Sequence, residues 1–153
     1  MSTGWHLAQF NIARGRAAMD DPVMADFVAT LDRVNALADA SPGFVWRLQD
    51  DSGNATAIAA YDDPNMLVNM SVWRDADALF DFVYRSGHTP VMARRRDWFL
   101  PLDGPYMVLW WVAAGHRPDV AEAQERLARL AAHGPTADAF TFKARFDPPA
   151  DAA

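Results

Sequence analysis

The sequence predicts an α+β protein in which helices pack on an antiparallel sheet. Stretches that alternate apolar and polar residues, as strands do, are interspersed with stretches that carry apolar residues at helical spacing. Turn signals rich in Asp, Pro and Gly separate these stretches. The 153 residues are 51% hydrophobic, which is enough for one domain with a sizeable core.

The first third of the chain is predicted to hold a strand, a helix and a hairpin. Residues 6–12 alternate and form the strand. The helix begins at Asp20-Asp21-Pro22, because Asp caps a helix and Pro suits its first turn, and it ends at Ser41-Pro42-Gly43. Residues 44–49 and 56–61 flank a polar turn and are predicted to form the hairpin.

The remaining elements follow the same signals. They are, in chain order, a strand at 66–73, a helix capped by Asp75, a short helix at 89–97, an apolar central strand at 106–114, a helix from Val120 to His133 and a last strand at 139–146. The heart of the order is β-α-β-β-α-β, which is ferredoxin-like, with helices on one face of the sheet. We expect a single domain over residues 1–153, with its core at about 5–146 and a flexible tail at 147–153.

The strands divide their side chains into an apolar face and a mixed polar face. The apolar face holds Phe44, Trp46, Leu48, Met66, Val68, Met70 and Val72, and we expect it to meet the helices. The opposite face holds Gln9, Asn11, Arg47, Gln49, Asn69, Ser71 and Trp73. Mostly uncharged polar groups beside a large aromatic favour a small-molecule pocket or a polar dimer interface over a solvated face. A register slip of one residue would exchange the two faces.

The densest group of reactive side chains lies at residues 82–99. His88 stands beside a glycine at a predicted helix junction, from which an imidazole can reach a pocket and act as a general base. The alternative is that His88 only caps the helix end. Tyr84 is a second candidate catalytic residue, and Trp98 is a candidate for the wall of the pocket.

Composition disfavours several kinds of function. The net charge of −6 and the lack of a long basic run disfavour nucleic acid as a partner. The absence of cysteine excludes disulfides, thiolate nucleophiles and Cys-based metal sites, and no other metal-binding motif is present. Neither a signal peptide nor a membrane-spanning stretch is visible, so we expect a cytoplasmic protein with no membrane partner.

Several segments together resemble a bacterial family named domain of unknown function 3291. They are Leu7-Ala-Gln-Phe-Asn-Ile12, Ser41-Pro-Gly-Phe-Val-Trp-Arg47, Met70-Ser-Val-Trp-Arg74, Phe82-Val-Tyr-Arg-Ser-Gly-His88 and Arg95-Arg-Asp-Trp-Phe99. The resemblance covers about residues 5–146. That family is similar to the dimeric α/β-barrel superfamily, which includes antibiotic-biosynthesis monooxygenases, haem-degrading monooxygenases and haem proteins such as chlorite dismutase. The resemblance implies a homodimer whose two sheets form a barrel, and it implies no particular function.

Three functions remain open at this point. The first is a monooxygenase-like enzyme without a cofactor, acting on an apolar or aromatic small molecule. In it, Gln9, Asn11, Arg47 and Asn69 orient the substrate, Trp73 and Trp98 form the wall, and His88 transfers a proton. The second is a haem protein with His88 as axial ligand. The third is a non-catalytic dimeric ligand-binding or accessory protein, in which the polar face is a seam between two sheets.

Overall fold

The computed structural model describes residues 4–18, 20–49, 63, 65–85, 95–102 and 104–149. Its elements are, in chain order, β1 (Trp5–Gly15), a 3-10 helix (Pro22–Met24), α1 (Ala25–Asp39), β2 (Phe44–Arg47), β3 (Met66–Trp73), α2 (Ala76–Arg85), α3 (Arg95–Trp98), β4 (Phe99–Leu100), β5 (Met107–Ala113) and α4 (Val120–His133). None of the helices in these ranges has the length and apolar character that a membrane crossing needs.

The sheet is antiparallel, with β1 at its centre. Strand β3 pairs with one side of β1, and β5 pairs with the other side. Strand β2 lies outside β3, and the two-residue β4 pairs with the end of β1 at Arg14 and Gly15. The order β2-β3-β1-β5, with helices in the two crossovers, is the ferredoxin-like arrangement that the sequence predicts. The fold class is therefore confirmed.

Helices α1 and α2 cover the polar face of the sheet. Leu7 and Trp73, which lie on this face, are fully buried against Leu79 of α2 and Ala38 of α1. The sequence pattern predicts these helices on the opposite, apolar face, and this prediction is wrong. Alternation shows which side chains share a face, but it does not show which helix covers that face.

The apolar face is covered by α4 instead. Phe10, Met70 and Trp110 are fully buried on this face, in one cluster with Leu127 and Leu130 of α4. The helices therefore lie on both faces of the sheet rather than on one. The assignment of the covering helices is therefore corrected. One side chain also changes face: a register irregularity between Phe44 and Trp46 puts Phe44 opposite Trp73 on the polar face, not on the apolar face with Trp46 and Leu48.

Aspartate caps fix the starts of the helices where the sequence predicts them. The Asp21 carboxylate accepts a hydrogen bond from the backbone N–H of Val23 at 2.9 Å. The Asp75 carboxylate accepts one from the N–H of Ala78 at 2.8 Å. These bonds satisfy N–H groups that have no partner inside their helix.

The C-terminal part of the chain differs from the prediction. The strand predicted at 139–146 is wrong as a regular strand: Phe140 forms an isolated bridge with Leu109, and irregular backbone follows. Of the short helix predicted at 89–97, the structure describes Arg95–Trp98. The hairpin strand predicted at 56–61 lies outside the described residues, as do residues 150–153 of the predicted tail.

Candidate functional site

A cavity of about 600 Å³ lies between the polar face of the sheet and helices α1 and α2. The described lining residues from the sheet include Gln9, Asn11, Ala13, Arg47, Leu67, Asn69, Ser71, Trp73, Phe99 and Met107. Those from the helices include Phe27, Thr30, Leu31, Val34, Asn35, Leu79, Phe82, Val83 and Tyr84. A third group, from the loop before β5 and from the C-terminal segment, includes Pro105, Tyr106, Thr141, Phe142 and Lys143. A cavity of this size accommodates a drug-sized ligand.

The floor of the cavity is built from residues that lie opposite one another on adjacent strands. Gln9 of β1 is paired with Ser71 of β3, and Ser71 is paired in turn with Arg47 of β2. Two residues further along β1, on the same face, Asn11 lies opposite Asn69. Because side chains that are paired across strands point to the same face, the register alone brings these five polar groups together.

Hydrogen bonds join three of these floor residues and Trp73 into one cluster. The Trp73 indole Nε1–H donates to Ser71 Oγ at 2.8 Å. The Gln9 amide donates to the same oxygen at 3.0 Å and to Asn69 Oδ1 at 2.6 Å. An indole N–H can only donate, so Ser71 Oγ must act as an acceptor in this cluster.

Aromatic rings form much of the wall. Trp73 is fully buried and stacks on Phe82 of α2, with ring centroids 5.1 Å apart and an interplanar angle of 25°. Phe44 meets the other side of Trp73 edge-on at 5.4 Å. Phe27 and Phe99 continue the wall at the far end, in edge-to-face contact at 5.0 Å. Such contacts hold the rings in fixed orientations, so the wall is formed before any ligand arrives.

The charged groups at the cavity are few. The Arg47 side chain is mostly buried, and its guanidinium forms a two-pronged ion pair with Asp39, with Nε–Oδ1 at 2.8 Å and a second contact at 3.3 Å. Lys143 lies at the solvent-exposed rim. No Asp, Glu or His is among the lining residues that the structure describes. The described walls are therefore apolar, the floor carries neutral donors and acceptors beside the paired Arg47, and Lys143 is the cation at the rim.

The structure brings most of the predicted site residues to this one cavity. Those that line it are Gln9, Asn11, Arg47, Asn69, Trp73 and Tyr84. Trp98 does not: it is 1% exposed and packs one layer behind the wall, 5.4 Å from the ring of Phe27. His88 lies outside the described residues. The roles assigned to these residues stay predictions.

The third alternative, with the polar face as a seam between two sheets, does not match this arrangement. Helices α1 and α2 occupy that face, and a cavity separates them from the floor. The haem alternative depends on His88, and the described lining offers no imidazole for an iron. The described residues also hold no group of three His, Asp or Glu side chains that would suit a metal ion.

Sequence reasoning missed two kinds of lining residue. Phe82 and Leu79 were recognised only as the apolar stripe of a helix, since a stripe does not show whether it faces a core or a cavity. Lys143 and Tyr106 belong to segments that the sequence predicts as strands, at 139–146 and 106–114, but in the structure both residues lie in irregular backbone. The sequence does distinguish Lys143 in one respect, because it is the only lysine in the chain.

Comparison with known structures supports the fold. Rv0793 from Mycobacterium tuberculosis is similar at a TM-score of 0.50 and 13% identity, over 74% of this chain and 99% of that one. SnoaB, a cofactor-independent oxygenase from Streptomyces nogalater, is similar at a TM-score of 0.44 and 20% identity, over 76% and 100%. A protein of unknown function from Nitrosomonas europaea is similar at 0.45 and 13%, over 76% and 95%. Of these three, Rv0793 reaches a TM-score of 0.50, and at 13% identity its likeness supports the fold alone.

The family comparison covers nearly the whole sequence. No curated protein matches the chain. The family model described as a domain of unknown function, DUF3291, matches residues 6–153. The chain therefore belongs to the DUF3291 family, which confirms the resemblance drawn from its sequence segments.

Proposed function

We propose that the chain binds a mainly apolar, aromatic small molecule in the cavity and oxidises it with O₂ without a cofactor. The observation that carries the proposal is the composition of the cavity. Aromatic and aliphatic side chains form its walls, and a hydrogen-bonded cluster of amide and hydroxyl groups forms its floor. Pockets for organic ligands combine large apolar walls with a few placed polar groups in this way.

The walls favour a flat ring system. Trp73 and Phe82 are already stacked on each other, and Phe27, Phe99 and Tyr106 add further aromatic surface around the cavity. Burial of apolar ligand surface contributes roughly 25 cal/mol per Å² before the costs of association are subtracted. An aromatic ligand gains this free energy of burial and, because its rings are rigid, loses little conformational entropy on binding.

The floor favours a ligand that accepts hydrogen bonds. The Gln9 amide uses its N–H groups to donate to Asn69 Oδ1 and to Ser71 Oγ. That leaves the Asn69 Nδ2–H groups as donors, and Ser71, which accepts two bonds, still has its own O–H to donate. Fixed donors of this kind stabilise an oxygen atom on which negative charge develops.

This polarity suits a substrate that becomes an oxyanion when it loses a proton. Such an anion can itself reduce O₂. In a monooxygenation of a ring methylene, one oxygen atom replaces the two hydrogens to give a carbonyl group, and the other leaves as water. Tyr84, at the rim and 60% exposed, and His88 remain the candidates for moving the proton.

Titration with the fluorescent apolar probe N-phenylnaphthylamine tests the binding step. We expect one saturable site per chain. Val34 lines the cavity from α1, whereas Ala36 on the same helix is exposed. Val34→Trp should therefore weaken binding about tenfold, or about 1.4 kcal/mol, because the larger ring takes up cavity volume. Ala36→Trp is the matched control and should bind as the wild type does. Equal affinities in the two variants would contradict the assignment of the site.

Oxygen uptake with anthrone as substrate tests the catalytic step. Loss of a methylene proton turns anthrone into an aromatic oxyanion, so it presents the chemistry that the floor favours. We expect the wild type to consume O₂ faster than the uncatalysed reaction does. We expect Asn69→Asp to lose most of this catalysed increase in rate. This variant keeps the acceptor for Gln9 but replaces the outward donor with a negative oxygen. Binding without any uptake would limit the proposal to a ligand-binding protein.

The homodimer and the cytoplasmic location predicted from the sequence also remain proposals. A dimer of the 17.0 kDa chain would have a mass of twice that value, about 34 kDa, in solution. Light scattering coupled to size-exclusion chromatography measures that mass directly.

A further inference from the structure

The only lysine of the chain is held at the rim of the cavity by its neighbours on both sides. Before it, the backbone of Phe140 exchanges two hydrogen bonds with Leu109 of β5, at 2.8 and 2.9 Å. The ring of Phe142 then packs on Phe80 of α2 with centroids 4.7 Å apart. Beyond Lys143, the Phe146 carbonyl accepts a hydrogen bond from the Trp111 indole N–H at 2.9 Å. These contacts fix the path of the segment on either side, so Lys143 is placed at the cavity by tertiary structure rather than by chance exposure.

Lys143 is the cation at this cavity whose charge is not offset in the described part of the chain. The guanidinium of Arg47, the other cation among the described lining residues, is paired with Asp39. Arg145, two residues further along, lies over the Phe80 ring at 4.4 Å from its centroid and is not among the described lining residues. Within the described part of the chain, Lys143 has no ion pair or hydrogen bond.

The overall charge of the molecule makes a local cation significant. A net charge of −6 repels anionic ligands at long range. A cavity that takes up an anion from water therefore needs a nearby positive charge, and the described lining contains no carboxylate that would neutralise Lys143. An aliphatic stem with a charged end also suits a rim, because its methylene groups can cover an apolar ligand while the ammonium stays in water.

We propose that Lys143 selects ligands that carry an anionic oxygen group on an apolar aromatic body. This inference rests on the proposed function, because it names the class of ligand for the same cavity. It predicts that acids are bound in preference to neutral analogues of the same size, and that the preference is electrostatic.

A pair of fluorescent probes that differ by one charged group tests this inference. Anilinonaphthalene sulfonate is anionic, and N-phenylnaphthylamine is the same molecule without the sulfonate. We expect Lys143→Met to weaken sulfonate binding by about three- to tenfold and to leave the neutral probe within about twofold, since the pair is partly exposed to water. Lys143→Arg should retain most of the affinity for the sulfonate.

The matched control is Arg145→Met, which removes the same charge from a neighbouring position outside the described lining. It should leave the affinities for both probes within about twofold. The loss of sulfonate affinity in Lys143→Met should become smaller between 50 and 500 mM salt, because salt screens the attraction between two exposed charges. Circular dichroism checks that each variant is folded.

The outcomes separate the two proposals. A loss confined to the sulfonate in Lys143→Met supports the inference. An equal change for both probes, or no change for either, overturns it while leaving the proposed binding function in place. Failure of the wild type to bind either probe overturns the binding function, and the inference with it.

Discussion

At the scale of single residues, the Ser71 hydroxyl is the centre of the cavity floor. It accepts hydrogen bonds from both Trp73 and Gln9, and it is 7% exposed. Removing it leaves the indole N–H of a fully buried tryptophan without its acceptor. We predict that Ser71→Ala lowers the free energy of unfolding by about 1–3 kcal/mol, measured by urea denaturation.

The same substitution in a Trp73→Phe background distinguishes the loss of the indole's acceptor from a general cost of removing the Ser71 hydroxyl. In Trp73→Phe the buried donor is already absent, so the additional cost of Ser71→Ala should be smaller by about 1 kcal/mol. Additive costs in the double variant would contradict the account of the floor.

The residues of the floor were predictable, and those of the rim were not. Alternation along two strands was enough to place Gln9, Asn69 and Ser71 on one face, because the strand period is fixed. Lys143 reaches the same cavity from a segment that the sequence predicts as a strand, but whose backbone is irregular after the bridge between Phe140 and Leu109. No local pattern in the sequence encodes that long-range contact.

At the scale of elements, one glycine sets how closely the connection between α1 and β2 approaches α2. Gly43 has φ of +83°, and a Cβ there would lie 2.5 Å from the Cβ of Ala78. Its carbonyl accepts a hydrogen bond from the N–H of Arg74 at 2.7 Å. We predict that Gly43→Ala destabilises the protein by about 2–4 kcal/mol, from backbone strain and from the clash together.

Gly115 provides the matched control for this prediction. Its φ is +91°, but a Cβ there would meet no atom within 4 Å. Gly115→Ala should therefore show the strain alone, at about 1 kcal/mol. Similar shifts in urea midpoint for the two variants would show that the approach to α2 contributes nothing.

The bounds of the elements were more predictable than their packing. Strand β3 spans Met66–Trp73, the range that the alternation predicts, and the aspartate caps mark the helix starts. The face that α1 and α2 cover was not predictable from the same pattern. A third helix, α4, buries the apolar face instead, and this frees the polar face to hold a cavity.

At the scale of the whole molecule, the sheet separates a dense core from a cavity. Phe10, Met70 and Trp110 are fully buried beside α4, while the side of the sheet under α1 and α2 keeps about 600 Å³ open. Close packing is the normal state of a protein interior, so a space this large beside a polar floor calls for a functional explanation. We propose that this space is a binding site.

The six tryptophans report on the two sides of the sheet separately. The indole of Trp73 donates to the cavity floor, whereas the indole of Trp110 donates to Glu122 of α4 at 2.9 Å, on the other face. Trp98 lies behind the cavity wall and is an intermediate case. Each indole N–H gives its own signal in a nitrogen–proton NMR spectrum, and Trp73→Phe and Trp110→Phe assign the two that matter.

The most direct test of the central claim is to follow these indole signals while N-phenylnaphthylamine is added. We predict that the Trp73 signal moves most and saturates at one ligand per chain, that the Trp98 signal moves less, and that the Trp110 signal stays in place. Saturating movement of Trp110 with a fixed Trp73 would place the ligand on the wrong side of the sheet. No saturable movement of Trp73 would contradict the claim that the cavity is a binding site.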